Sequence, residues 1–379
     1  MYQIVIMDAI GTKAAILQAT LEQRARDLNL DPLTDLCFNP AKLDPASPRV
    51  GVLFSDGPAG LAFAPDVQPL LDSPATVIPV VQSLADFAKH IPQNLRTANG
   101  LELDPADPAL DKVASLVLEL FGLLRKRRRL FISYKRNEAA AVAHQLHNAL
   151  DERTFDVFLD TLSIRPAAQF QEQLWHRMTD SDLVILLYTA SVHQSGWVQQ
   201  EIDRAAGMGI TVLQLIWPGV ARNPATQIFE PVYLQPADFD PARPDELASA
   251  VVAKICTQVE SLRARSLRRR EDELVGPLRD SATSHNVTAA IHPARYVDIT
   301  KPKTAEVIRI IPAVGVPDSE SFHDPLRSPA GEPAPNETVL LYDPRHLIPA
   351  WDQHLDWLNT HLPVKTVKLP EIGKWIAAL

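Results

Sequence analysis

The chain has 379 residues, 46% of them hydrophobic and 22% charged, with a net charge of -9; that is a globular mixture, too long for one ordinary core, and it reads as two or three domains. The negative balance argues against wholesale nucleic-acid binding, and two cysteines, Cys37 and Cys256, exclude a disulfide framework or a cysteine zinc site and are expected as buried thiols in a reducing cytoplasm. MYQIVIMDAIG has no basic start of a signal peptide, and no apolar run approaches the roughly 20 residues of a membrane span, so a soluble, cytoplasmic protein without membrane contact is expected.

Taken in order, Tyr2–Met7 predicts a strand, and Thr12–Asn29 carries Ala15, Leu17, Leu21 and Leu28 at helical spacing. Val50–Ser55 and Val77–Val81 predict two more strands, and Pro108–Leu124 a helix. Together they form a small α/β domain of receiver-like size. FSDGPAG at 54–60 could be a phosphate loop or a phospho-acceptor site, but no Lys-Ser/Thr follows its glycines, so it reads as a turn. The run Arg125–Arg129, RKRRR, could touch a phosphate backbone; the better reading is a cap on the carboxyl end of the preceding helix.

From there Leu130–Ser133, Phe155–Leu159, Leu183–Tyr188 and Thr211–Ile216 are near-continuous apolar runs, the pattern of parallel strands covered on both faces. A helix from Asn137 or Glu138 turns Val142, Leu146, Ala149 and Leu150 to the sheet. His144 and His147 lie three apart on it, but with no third ligand in reach they read as ordinary histidines and imply no metal. Phe170, Leu174 and Met178 pack the next helix. A long helix from Asp245 to about Leu278 leads to a third unit with strands at Thr288–Ile291, Val307–Ile311 and Thr338–Leu341, an amphipathic helix at His346–Thr360, and a loop at Pro317–Asn336. The cations Arg263, Arg265, Arg268, Arg269 and Arg270 precede Glu271, Asp272 and Glu273, so intrahelical pairing is expected to account for them. The glycines of this third unit lack dinucleotide-fingerprint spacing, so no Rossmann cofactor is implied.

FISYKR, the acidic FLD closing the second strand, a Pro-containing loop ending at Phe170, and Ser195, Trp197 and Glu201 in S-x-W-x-x-x-E together resemble the TIR (Toll/interleukin-1 receptor) domain. The likeness runs from about Arg127 to near Ser261. It implies a central flavodoxin-like domain, a five-stranded parallel sheet over 127–262, and the patterning on either side adds smaller α/β units at 1–125 and 263–379, so the expected architecture is α/β. In one branch of the family, bacterial effectors of antiviral defence, the domain cleaves NAD between nicotinamide and ribose.

Ligands of open parallel sheets gather at the carboxyl ends of the strands. Those ends deliver Tyr134, Lys135 and Arg136 from the first strand, the Asp160 loop from the second, and Ser191 to Glu201 from the third. Lys135 and Arg136 could hold a pyrophosphate; as exposed charges they would need no function. Trp197 and Glu201, four apart, point the same way on one helix. The nicotinamide of NAD is already cationic and departs neutral, so one carboxylate can suffice where glycosidases need two. By resemblance Glu201 is the catalytic residue, with Trp197 walling the site, NAD as substrate and no cofactor. The family's second-strand loop mediates self-association, and here it offers Leu162, Ile164, Pro166 and Phe170; Ala167 and Ala168 stand where many members have glycine. The expected partners are NAD, further copies of the chain, and an activating protein or nucleotide signal sensed by the flanking units. The alternative is a non-catalytic TIR adaptor that works by contact through the Asp160–Phe170 loop.

Overall fold

The computed structural model describes the chain apart from residues 46, 74, 106, 160–169, 193–206, 208, 293–294, 324–333 and 346. It forms two compact units, Met1–Lys126 on one hand, and Arg127–Ser328 with Ala334–Leu379 on the other.

In the first unit, β1 (Tyr2–Asp8), β2 (Leu36–Phe38), β3 (Arg49–Ser55), β4 (Thr76–Val81) and β5 (Leu101–Glu102) pair in parallel in the order β2-β1-β3-β4-β5. The expected strands are β1, β3 and β4; β2 and β5 span only three and two residues, too short to show a period. Helix α1 (Lys13–Asp27) starts on the Asp8 carboxylate. One oxygen accepts from the amides of Ile10 (3.0 Å) and Gly11 (2.9 Å), the other from Lys13 (2.7 Å) and Ala14 (2.8 Å), so orphan donors of the helix start are satisfied. Helices α2 (Ala64–Leu71), α3 (Phe87–His90) and α4 (Asp111–Leu120) follow, and Val67 and Leu70 of α2 join Leu53 and Val77 of the sheet in one buried cluster. In FSDGPAG, the Ser55 hydroxyl donates to the His90 carbonyl at 2.9 Å, and a Cβ on Gly60 would stand 2.6 Å from that carbonyl. Close packing therefore accounts for the second glycine.

In the second unit, β6 (Arg129–Ser133), β7 (Asp156–Leu159), β8 (Leu183–Tyr188), β9 (Thr211–Ile216) and β10 (Glu230–Tyr233) form an all-parallel sheet in the order β10-β9-β8-β6-β7. With the first strand between the second and third, this is the flavodoxin-like order, the same as in the first unit. Helix α5 (Arg136–Asp151) and a long helix, Ser249–Ser284, cover one face: Val142, Leu146, Ile255 and Val259 meet Leu130, Ile132, Ile185 and Leu213. On the other face, Leu174 and Met178 of α6 (Phe170–Thr179) meet Phe131, Val184 and Val212. Burial on both faces is why these strands read as continuous apolar runs.

The hairpin β11 (Phe239–Asp240) and β12 (Arg243–Leu247) delays the long helix from the expected Asp245 to Ser249. That helix ends in a different core, where Leu274, Leu278 and Ala282 pack on a mixed sheet. There β13 (Thr288–Ile291), β14 (Val297–Thr300) and β15 (Val307–Pro312) are antiparallel neighbours, and β16 (Glu337–Tyr342) and β17 (Lys365–Lys368) continue from β15 in parallel. β14 and β17, read as VDIT and KTVK, are short and half polar and give no clear strand signal. The amphipathic helix expected at His346–Thr360 is Pro349–His361, and the expected Pro317–Asn336 loop contains the short helix Ser319–His323.

Both basic clusters differ from expectation. Arg127 pairs with Asp318 and with Glu320 (3.0 Å). Arg128 is buried, bonding Glu260 at 3.1 Å and the Arg153 carbonyl at 2.9 Å. Arg129 pairs with Asp180 and lies 3.6 Å from Asp156. Arg268 and Arg269 do pair within their helix, with Asp272 and Glu273. Arg263, however, is fully buried against Asp182 at 2.7 Å, and Arg270 donates to the carbonyls of Ser181 and Thr179. Glu260, 132 residues from Arg128, and Asp182, 81 from Arg263, are out of reach of any local reading. Of the two cysteines Cys256 is buried, but Cys37 is only half-buried. No described helix is long and apolar enough to cross a membrane.

Candidate functional site

In the second unit the strand order reverses at β6, which lies between β7 and β8, so the carboxyl ends of β6 and β8 mark the switch point at which open α/β sheets bind ligands. β6 delivers Tyr134, Lys135 and Arg136 there. Tyr134 is 5% exposed and belongs to the core beneath α5. Lys135 is half-buried and Arg136 exposed.

Helix α5 begins irregularly. Ala139 has φ -142° and ψ 18°, and the Lys135 carbonyl accepts from the amides of both Glu138 and Ala139 at 3.0 Å. The first turn, Arg136–Glu138, is thereby set apart from the regular helix, and Glu138 reaches across to the end of β8. Lys135 Nζ donates to Ser191 Oγ at 2.5 Å and stands 3.4 Å from Glu138 Oε1. The Ser191 hydroxyl donates to Glu138, and the Ser191 amide lies 3.3 Å from Glu138 Oε2. An ammonium, a hydroxyl and a carboxylate thus close a ring over the switch point.

The Ser191 hydroxyl first, then the Thr189 hydroxyl, the Ser191 amide and the Lys135 ammonium hold the Glu138 carboxyl down at about 2, because each favours its charged form. Thr189 is buried, and its hydroxyl has no hydrogen bond of good geometry among the described residues.

The structure therefore brings Lys135 and Ser191 together as the chain order suggested and adds Glu138, which had been read only as a helix start. Its signal was present: an acid three residues after Lys135 in a helix's first turn lies within reach of that lysine. Asp160, Leu162, Ile164, Pro166, Trp197 and Glu201 lie outside the described residues; Phe170 opens α6. His144 is exposed, and Nδ1 of His147 is 3.2 Å from the side chain of its neighbour Asn148. Among the described residues no group of three His, Cys, Asp or Glu could hold a metal.

A flavodoxin-like sheet with a charged, polar cluster over its switch point places the second unit in the doubly wound α/β class. Residues 130–256 match the TIR domain family, so the chain carries a TIR domain over that stretch. No curated protein matches it significantly. Among solved structures, the crystal structure of tagatose-6-phosphate ketose/aldose isomerase from Escherichia coli aligns over 71% of this chain and 81% of its own at 14% identity. Its TM-score of 0.22 carries no argument.

Proposed function

We propose that the TIR domain is an NAD glycohydrolase that cleaves the bond between nicotinamide and ribose, as an effector of the kind that acts in bacterial antiviral defence. The observation that carries this reading is the placement of Lys135, Ser191 and Glu138 over the β6/β8 switch point in a domain that matches the TIR family. Lys135 and Arg136, which follow β6 at its carboxyl end, would meet the pyrophosphate. Glu201, assigned through the resemblance of S-x-W-x-x-x-E, would supply the negative charge that an oxocarbenium-like transition state demands. Nicotinamide leaves neutral, so no second acid is required.

Glu201→Gln keeps volume and removes charge. It is expected to lower kcat roughly a hundredfold or more with the melting temperature unchanged; a variant retaining most of its turnover would refute the assignment. A second reading, an adaptor acting through the Asp160–Phe170 loop, is favoured by one fact: Lys135 is already engaged by a carboxylate. NAD turnover by purified protein, tried also at high concentration, decides between the two.

A further inference from the structure

We propose that Glu138 is a gate on the anion end of the switch-point crevice, engaging Lys135 and Ser191 until a pyrophosphate-bearing nucleotide displaces it. The proposal rests on the NAD reading of the same crevice and adds a residue and a step to it. Three observations lead there. Lys135 is one of two cations that follow β6 at the switch point, yet Glu138 stands 3.4 Å from its ammonium, and the Ser191 hydroxyl bridges the two. The pair has no net charge, and an incoming anion meets the carboxylate beside the ammonium. Charge cancellation at the mouth of a site weakens its attraction for a ligand of the opposite sign.

The pair can also be parted. Its side chains are 34% and 29% exposed, the regime in which ion pairs are weak, and a doubly charged pyrophosphate competes for the same ammonium with twice the charge. The backbone allows the movement as well. The non-helical Ala139 separates the Arg136–Glu138 turn from the rest of α5, so Glu138 can swing out without unwinding the hydrogen bonds of the regular helix. With the Glu138 carboxyl held near 2, the gate stays ionised at every physiological pH and is opened by ligand charge instead of by protonation.

Glu138→Gln keeps shape and removes the charge. Calorimetric titration with inorganic pyrophosphate is expected to show binding roughly 3- to 10-fold tighter than wild type at low salt, the scale of one unit charge acting across a few ångströms of hydrated surface. The gain should shrink at 0.5 M salt, where screening shortens the reach of that charge. KM for NAD should fall by a similar factor. Glu138→Ala should behave alike, and Lys135→Met in the Glu138→Gln background should abolish the gain. Unchanged or weaker pyrophosphate binding in both Glu138 variants, with melting temperatures equal to wild type, overturns the gate. If pyrophosphate binds more tightly but no protein turns over NAD, the gate stands and the reaction falls. If NAD is turned over and pyrophosphate binding is unaffected, the reaction stands and the gate falls.

Discussion

Asp182→Asn tests the fold of the second unit at a fully buried ion pair. Asp182 and Arg263 are each fully buried, with Nε to Oδ2 at 2.7 Å, and Asp182 is held from behind by its own amide donating to the Arg129 carbonyl at 2.7 Å. Loss of the charge removes the carboxylate that faces the buried guanidinium, and breaking such a pair costs about 3–5 kcal/mol. Arg263 keeps the Phe155 ring 5.9 Å away, so the lower end, about 3 kcal/mol, is expected. For a unit of this size that corresponds to a fall of roughly 6–12 °C in Tm. All six tryptophans lie beyond residue 126, so tryptophan fluorescence during urea or thermal unfolding reports this unit alone. Replacing both partners, Asp182→Leu with Arg263→Met, should recover most of the loss, since a buried pair exchanged for apolar side chains of similar volume is often neutral or stabilising. A single variant within about 0.5 kcal/mol of wild type, or a double variant that costs the sum of the singles, would refute the reasoning.

Two further outcomes are expected. If the TIR domain must self-associate to exclude water from its site, NAD turnover per molecule rises with protein concentration, and Ile164→Asp lowers it without lowering Tm; turnover that is flat from dilution upward rules this out. His176 of α6 has its pKa lowered, first by burial and then by the charges of Arg177 and Arg129, so the unfolded chain takes up the proton first. Stability is therefore fully present above about pH 6.5 and is lost as pH falls from there toward the lower native value, with a slope of at most about 1.4 kcal/mol per pH unit. His176→Phe should remove that component of the slope, and an unchanged slope in the variant would show that another group carries it.

Most of the TIR domain was legible because its strands are buried on both faces. Leu130–Ser133 and Leu183–Tyr188 could be read as parallel strands from hydrophobicity alone, and the crevice followed from their order. Strands with one solvated or polar face, such as Val297–Thr300 and Lys365–Lys368, carry too few apolar residues to declare themselves. Glu138 was missed for a different reason. Its role depends on the break at Ala139 and on Ser191, 53 residues away, and a local pattern shows only an acid in a first turn, where acids are favoured anyway. The arginines misled for the same reason in reverse: Arg128 and Arg263 look like surface charges beside other cations, and only the fold reveals Glu260 and Asp182 opposite them.

The long helix Ser249–Ser284 bears on how the C-terminal sheet could influence the TIR sheet. Its first turns bury Val252, Ile255, Cys256, Val259 and Leu262 in the TIR core, and its last bury Leu274, Leu278 and Ala282 in the C-terminal core. Between them stand Arg263 and Arg270, bound to Asp182, Ser181 and Thr179 at the entry to β8, and Glu271, which pairs with Arg295. The C-terminal layer also meets that corner directly, since the Val316 amide lies 3.3 Å from Asp180 Oδ1 and Trp351 packs its ring 5.5 Å from His176 on α6. Residues 179–182 join α6 to β8, so a displacement of the C-terminal layer would be felt at the foot of the strand whose other end leads to Ser191. A continuous helix with interlocked ion pairs transmits displacement because packed interiors resist local compression. The C-terminal layer and the long helix thus meet β8 at one corner, residues 179–182, at the end of the strand opposite Ser191.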